Sequence, residues 1–150
     1  MYLVSTCLLG IKSRYDGGDN LCRFLTDNRH RMILIPVCPE QLGGLPTPRE
    51  PAEIRGGDGN DVLREKATVT TRDGGDVTAN FIRGAEEVLK LALFLKVKGV
   101  ILKEGSPSCG YGRIHDGSFT GGWREGHGVT ASLLEKNHFK IYTEDNLPRV

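Results

Sequence analysis

Apolar residues along this chain recur in two rhythms. Short, unbroken, partly β-branched runs stand at 2–6 ("YLVST"), 32–37 ("MILIPV") and 99–104 ("GVILKE"), bounded by turn formers such as "YDGGDN" at 15–20. That is the pattern of strands buried on both faces, and Pro36 predicts where the second one ends. Between 77 and 97, Phe81, Ile82, Ala85, Val88, Leu89, Ala92 and Leu93 fall at helical spacing, with Asp76 placed to cap the start and Gly99 to end it. Residues 20–30 predict a shorter helix with Leu21, Cys22 and Leu25 on one face, and Val129–His138 a final helix before a strand at 139–143. "ATVTT" at 67–71 reads as an edge strand or part of a hairpin, and "RIHDGSFTGGW" at 113–123 as a glycine-rich hairpin or lid. The stretch 39–66 carries too many Pro, Gly and charged residues for an element and is expected to be a long functional loop.

Strands alternating with helices predict an α/β fold. The expected form is a three-layer α/β/α domain with a mostly parallel, Rossmann-like sheet and a glycine-rich loop or hairpin insertion. A chain of 150 residues is expected to form a single domain over 1–150. Twenty Lys and Arg against nineteen Asp and Glu leave a net charge of +1, which removes the global basic field that drives sequence-independent nucleic-acid binding. A nucleic-acid partner is therefore not expected. The start "MYLVSTCLLG" has no basic segment and too short an apolar run for an export signal, and "VLKLALFL" at 88–95 is too short to cross a membrane. The protein is expected to be soluble and cytoplasmic, without a membrane partner.

In that setting four cysteines, Cys7, Cys22, Cys38 and Cys109, point to metal or redox chemistry before disulfides. Cys7, Cys38 and Cys109 each fall just past the carboxyl end of a predicted strand, the edge at which open parallel sheets bind ligands. Cys22 falls on the apolar face of a predicted helix, where a cysteine usually serves as a small hydrophobe. Three converging thiolates make an incomplete tetrahedral set, suited to a soft metal or to an iron-sulfur cluster with one iron lacking a protein ligand. Glu40, Ser106 and Ser108 lie close enough in sequence to face whatever the cysteines hold. Asp16 and Asp116 read as turn residues, His30 and His138 as surface helix ends, and His127 has no clear role.

The motifs "CLLG" at 7–10, "RYDGG" at 14–18, "VCPEQLGGLPTPREPAEI" at 37–54, "DVT" at 76–78, "LKEGSPSCG" at 102–110, "DGSF" at 116–119 and "GVTASLL" at 128–134 closely resemble the thiouracil desulfurase family. The resemblance spans nearly the whole chain. It implies a 4Fe-4S cluster held by Cys7, Cys38 and Cys109 with one open iron, and a catalytic glutamate and serine at Glu40 and Ser106, with Ser108 the adjacent candidate for the hydroxyl. It also implies a small thiolated heterocycle, such as 2-thiouracil, as substrate, converted without redox change to the carbonyl with release of sulfide to an unspecified acceptor. His115 stands where the family's tyrosine is expected, and Cys22 is additional. The cysteines by themselves leave two other readings open: a non-catalytic iron-sulfur or zinc sensing module, and a sulfur-transfer enzyme working through a cysteine persulfide.

Overall fold

The computed structural model describes residues 1–150. In chain order its elements are β1 (Tyr2–Ser5), α1 (Arg23–Asp27), β2 (Leu34–Val37), α2 (Pro39–Leu42), β3 (Ala52–Arg55), α3 (Gly59–Leu63), β4 (Thr68–Thr71), α4 (Thr78–Leu95), β5 (Gly99–Leu102), β6 (Tyr111–His115), β7 (Trp123–His127), α5 (Val129–Lys136) and β8 (Ile141–Thr143). A 3-10 turn, Thr6–Leu9, follows β1. The apolar runs form a four-stranded sheet in the order β2-β1-β5-β8, every pair parallel. Two antiparallel ribbons, β3–β4 and β6–β7, are added to it. The expected α/β class with a parallel central sheet and a hairpin insertion is what the chain forms. No helix is long and apolar enough to cross a membrane.

Alternation along the central strands explains why their sequences are apolar throughout. Leu3, Val100 and Leu102 point to one face and pack with Val88 and Ala92 of α4 and Ala131 and Leu134 of α5. Val4 and Ile101 point to the other and pack with Leu8 and with Leu25 of α1. Period-two side chains thus feed two cores from one strand. The link from β1 to β2 passes over one face and the link from β2 to β5 over the other. The edge between β1 and β5 is therefore the point where connections diverge, the crevice that binds ligands in such sheets.

Several boundaries differ from expectation. The stretch 39–66 is not a continuous loop, because it contains α2, β3 and α3, each four or five residues long. Such short pieces are set by partners that local pattern does not reveal: β3 pairs with β4, and Asp58 and Asp61 close a reciprocal capping box on α3. Cys22 is not on a helix face. The N–H groups of Asn20 and Cys22 bond back to the Cys7 and Leu8 carbonyls, so the helix begins only at Arg23. Pro36 lies inside β2 and does not end it, since β2 is an edge strand and a residue facing outward there loses no ladder bond. Asp76 does accept the Thr78 N–H at the start of α4. Gly99 does not end that helix: Lys96 closes it in the left-handed conformation, and Gly99 opens β5 under the Tyr142 ring. Leu93 and Phe94 lie off the buried stripe and are exposed.

The helix that carries Glu40 is seated on α4 by close backbone approach. A methyl group on Gly84 would run into the Pro39 carbonyl, and Asn80 donates its amide to the Gly43 carbonyl at 2.8 Å. Gly84→Ala is expected to cost about 1–3 kcal/mol through overpacking, read as a lowered denaturation midpoint. Native stability in that variant would show that α2 can lift from α4 without penalty.

Candidate active site

A cavity of about 420 Å³ opens at the carboxyl edge of β1, β2 and β5, and Cys7, Cys38 and Cys109 all line it. Cys7 lies in the 3-10 turn after β1, Cys38 directly follows β2, and Cys109 ends the loop after β5. Cys109 is only 5% exposed. Ser5, the last residue of β1, accepts the Lys103 N–H at 2.9 Å and directs its hydroxyl to the Cys109 Sγ at 3.4 Å. The parallel pairing of β1 with β5 therefore sets the position of the deepest thiol. Cys22 is outside the cavity lining and packs beside Leu8 and Leu25.

Burial dominates the electrostatics of all three thiols. It pushes the Cys109 thiol up to about 12, against a partial offset from the Ser5 and Ser108 hydroxyls. It also raises Cys7 and Cys38, each aggravated by an acidic neighbour: for Cys7 the Cys38 thiol, for Cys38 the Glu40 carboxylate. Thiols in this state are protonated at neutral pH and are weak nucleophiles, which speaks against a persulfide carrier. A metal centre removes the difficulty, because coordination supplies the positive charge that makes ionisation favourable. The three soft donors fit an iron-sulfur cluster.

Beside the thiols, Glu40 is held at both carboxylate oxygens. Arg49 Nε donates to Oε1 at 3.1 Å and the Ser108 hydroxyl to Oε2 at 3.0 Å. The Arg49 side chain, 6% exposed, also donates to Ser13 O at 3.0 Å and Thr47 Oγ1 at 2.9 Å, a spread that a single guanidinium fork can make. Ser106 Oγ stands 3.2 Å from Ser108 Oγ and accepts the Cys109 N–H at 2.7 Å. Ser108 has one proton to donate, and the charged acceptor is the better one. Its 3.7 Å contact with Cys109 Sγ is secondary. The hydroxyls then run in one direction, Ser106 to Ser108 to Glu40, and leave a lone pair of Ser106 open to the cavity that it lines.

Glu40, Ser106, Cys7, Cys38 and Cys109, the residues expected from sequence, share this one cavity. Ser108, not Ser106, touches Glu40. Arg49 stands in the quoted "PTPRE" run but its type alone did not mark it, and nothing local marked Ser5. His127 lies outside the lining: its Nδ1 accepts the Gly112 N–H and its ring stacks on Tyr111, so it braces the β6–β7 ribbon. Asp16 and Asp116 accept N–H groups two residues on, as turn residues do. His30 and His138 are exposed. The tip of the β6–β7 ribbon is tied down by Glu53, which accepts the N–H groups of Gly117 and Phe119.

The sequence matches the 2-thiouracil desulfurase family over residues 2–146. The protein YbbK of Bacillus subtilis (strain 168) is 45% identical over 150 residues, a span covering 98% of this chain and 97% of that protein. Among solved structures, the [4Fe-4S]-dependent thiouracil desulfidase TudS superposes with a TM-score of 0.85 at 44% identity, over 98% of this chain and 92% of its own.

The raised thiols make a prediction for the metal-free protein. Unfolded, the Cys109 thiol ionises at its ordinary value of 9.0, whereas folded it keeps its proton to about 12. Its contribution to stability is fully present below pH 9 and is lost as pH rises toward 12, with a slope of up to about 1.4 kcal/mol per pH unit. Denaturant titrations across pH 8–10.5 are expected to show this loss, and Cys109→Ala to reduce it, with the remainder left by Cys7 and Cys38. An unchanged slope in the variant would place the alkaline sensitivity elsewhere.

Proposed function

The chain belongs to the 2-thiouracil desulfurase family, and from that premise we propose that its cavity converts the thiocarbonyl of 2-thiouracil, or of a related thiolated heterocycle, to a carbonyl with release of sulfide. What carries the reading is that three soft donors line one cavity together with a hydroxyl line that ends on a carboxylate. Cys7, Cys38 and Cys109 would hold a 4Fe-4S cluster of the kind on which TudS depends. When bound there, such a cluster supplies a Lewis-acidic iron with affinity for the substrate's sulfur.

The chain's own groups manage water and protons. A water resting on the open lone pair of Ser106 gives up a proton along Ser106 and Ser108 to Oε2 of Glu40. The oxygen then bonds to the thiocarbonyl carbon as the carbon-sulfur bond breaks. The proton held on Glu40 returns by the same path to the departing sulfur, and the oxygen's remaining proton passes to the emptied carboxylate as the carbonyl forms. One water is consumed, one sulfide leaves, and no electrons are gained or lost. Arg49 keeps the carboxylate turned toward Ser108 through its bond to the other oxygen. Ser5 holds Cys109 on the cavity wall.

Anaerobic reconstitution of the cysteine variants tests the ligand set. Cys7→Ala, Cys38→Ala and Cys109→Ala are each expected to lose most of the iron and the brown colour, while Cys22→Ala keeps both. A colourless preparation with one zinc per chain would sink the assignment, as would loss of iron on removing Cys22 alone.

Glu40→Gln separates holding from activation. Iron content and the visible spectrum should survive, while desulfuration of 2-thiouracil falls by the ~10²–10⁴ typical of losing a general base. Near-native turnover would make Glu40 a structural carboxylate, and loss of iron would make it part of the ligand shell.

A further inference from the structure

Trp123 is the only tryptophan of the chain, and it stands on the cavity wall with 47% of its surface exposed. The ring is not loose. His115, its cross-strand partner in the β6–β7 ribbon, stacks on it with centroids 4.1 Å apart and planes 21° apart. The Arg113 guanidinium lies 4.3 Å from the indole centroid. The edge of the indole rests over Gly105, where an added Cβ would meet it at 3.0 Å. A large apolar surface is thus packed into the cavity wall.

His115 lines the same cavity, and its Nδ1 is sealed from solvent without a hydrogen-bond partner. A proton on that nitrogen would be a buried N–H with no acceptor, at a cost of about 1–3 kcal/mol. Of the two tautomers, the one with its hydrogen on Nε2 avoids that cost, and Nε2 is neither sealed nor engaged by a protein acceptor. Its free donor is available to the cavity.

We infer that His115 and Trp123 form the subsite that recognises the substrate heterocycle: the substrate ring meets the edge of the stacked pair, where His115 Nε2–H, lying in the imidazole plane, donates to the ring oxygen that is not exchanged, the C4 oxygen of 2-thiouracil. The inference rests on the desulfurase reading above and names the part of the cavity that selects the ring. Apolar contact with the aromatic pair tolerates any flat heterocycle, so discrimination falls to the single donor.

Two measurements on the reconstituted enzyme test it. Trp123 fluorescence follows the binding of the product uracil and of 2-hydroxypyrimidine, which lacks the C4 oxygen. Steady-state kinetics compare 2-thiouracil with 2-mercaptopyrimidine. The wild type is expected to favour the oxygen-bearing compound in both by roughly 3- to 10-fold, the worth of one hydrogen bond. His115→Phe keeps the stack and should lose the preference, with the loss in KM and not in kcat. His115→Gln keeps a donor and should retain part of the preference, and it carries the test if the phenylalanine variant does not fold. Undiminished preference in His115→Phe overturns the inference, as does Trp123 fluorescence that ignores saturating uracil in an enzyme that turns over. A wild type that neither binds uracil nor desulfurates 2-thiouracil defeats the functional reading itself.

Discussion

The parallel pairing of β1 with β5 is the constraint on which the site depends. Tyr2, Leu3 and Val4 lie in register with Gly99, Val100 and Ile101, so both strands end at the same level and both following loops open into one crevice. The Ser5 hydroxyl crosses that crevice, taking the Lys103 N–H and reaching Cys109. Buried apolar residues on both faces hold the pairing. Any slip in register would turn side chains to the wrong face as well as misplace the loops, so packing and site geometry are enforced together.

From that frame the electrostatics follow. Three thiols are carried into a site where burial opposes their ionisation, so without a metal they are held in the protonated form. The neighbouring carboxylate is treated differently. Glu40 sits at the first turn of α2 with a guanidinium on one oxygen and a hydroxyl on the other, a pairing that compensates a partly buried charge. One strand end, Val37 to Glu40, therefore delivers both a proposed ligand and the proposed base, and the seating of α2 on Gly84 of α4 sets the height of both.

The ribbons complete what the sheet begins. β3–β4 carries Glu53, which anchors the tip of β6–β7 through two backbone N–H groups. That anchoring positions the His115–Trp123 stack in the cavity wall. Polar chemistry sits on the sheet edge and apolar recognition surface on the ribbon, so altering the ribbon would change selection of the ring while leaving the thiols in place.

Much of this was legible in the sequence. Unbroken apolar runs fit strands buried on both faces, as β1 and β5 are, although the run at 32–37 forms an edge strand that leaves Ile33 and Pro36 exposed; a helical stripe such as Phe81, Ala85, Val88 and Ala92 is satisfied by packing. Those two patterns determine a parallel sheet, and the sheet's carboxyl edge then determines which cysteines can meet. Cys7, Cys38 and Cys109 were accessible to that reasoning, while the roles of Glu40 and Ser106 came from the family resemblance of the motifs around them. What the sequence could not determine were features set by partners distant along the chain. The elements inside 39–66 are too short to form by propensity and exist because β4 and α4 receive them. The extended Asn20–Cys22 segment is set by hydrogen bonds to the turn after β1, against a helical pattern. Whether Ser106 or Ser108 meets Glu40, and that Arg49 holds its other oxygen, depends on side-chain directions across loops 68 and 9 residues apart in sequence. Hydrophobic periodicity encodes which face of an element is buried, whereas a hydrogen bond between loops is decided only when the packed elements fix the distance between them.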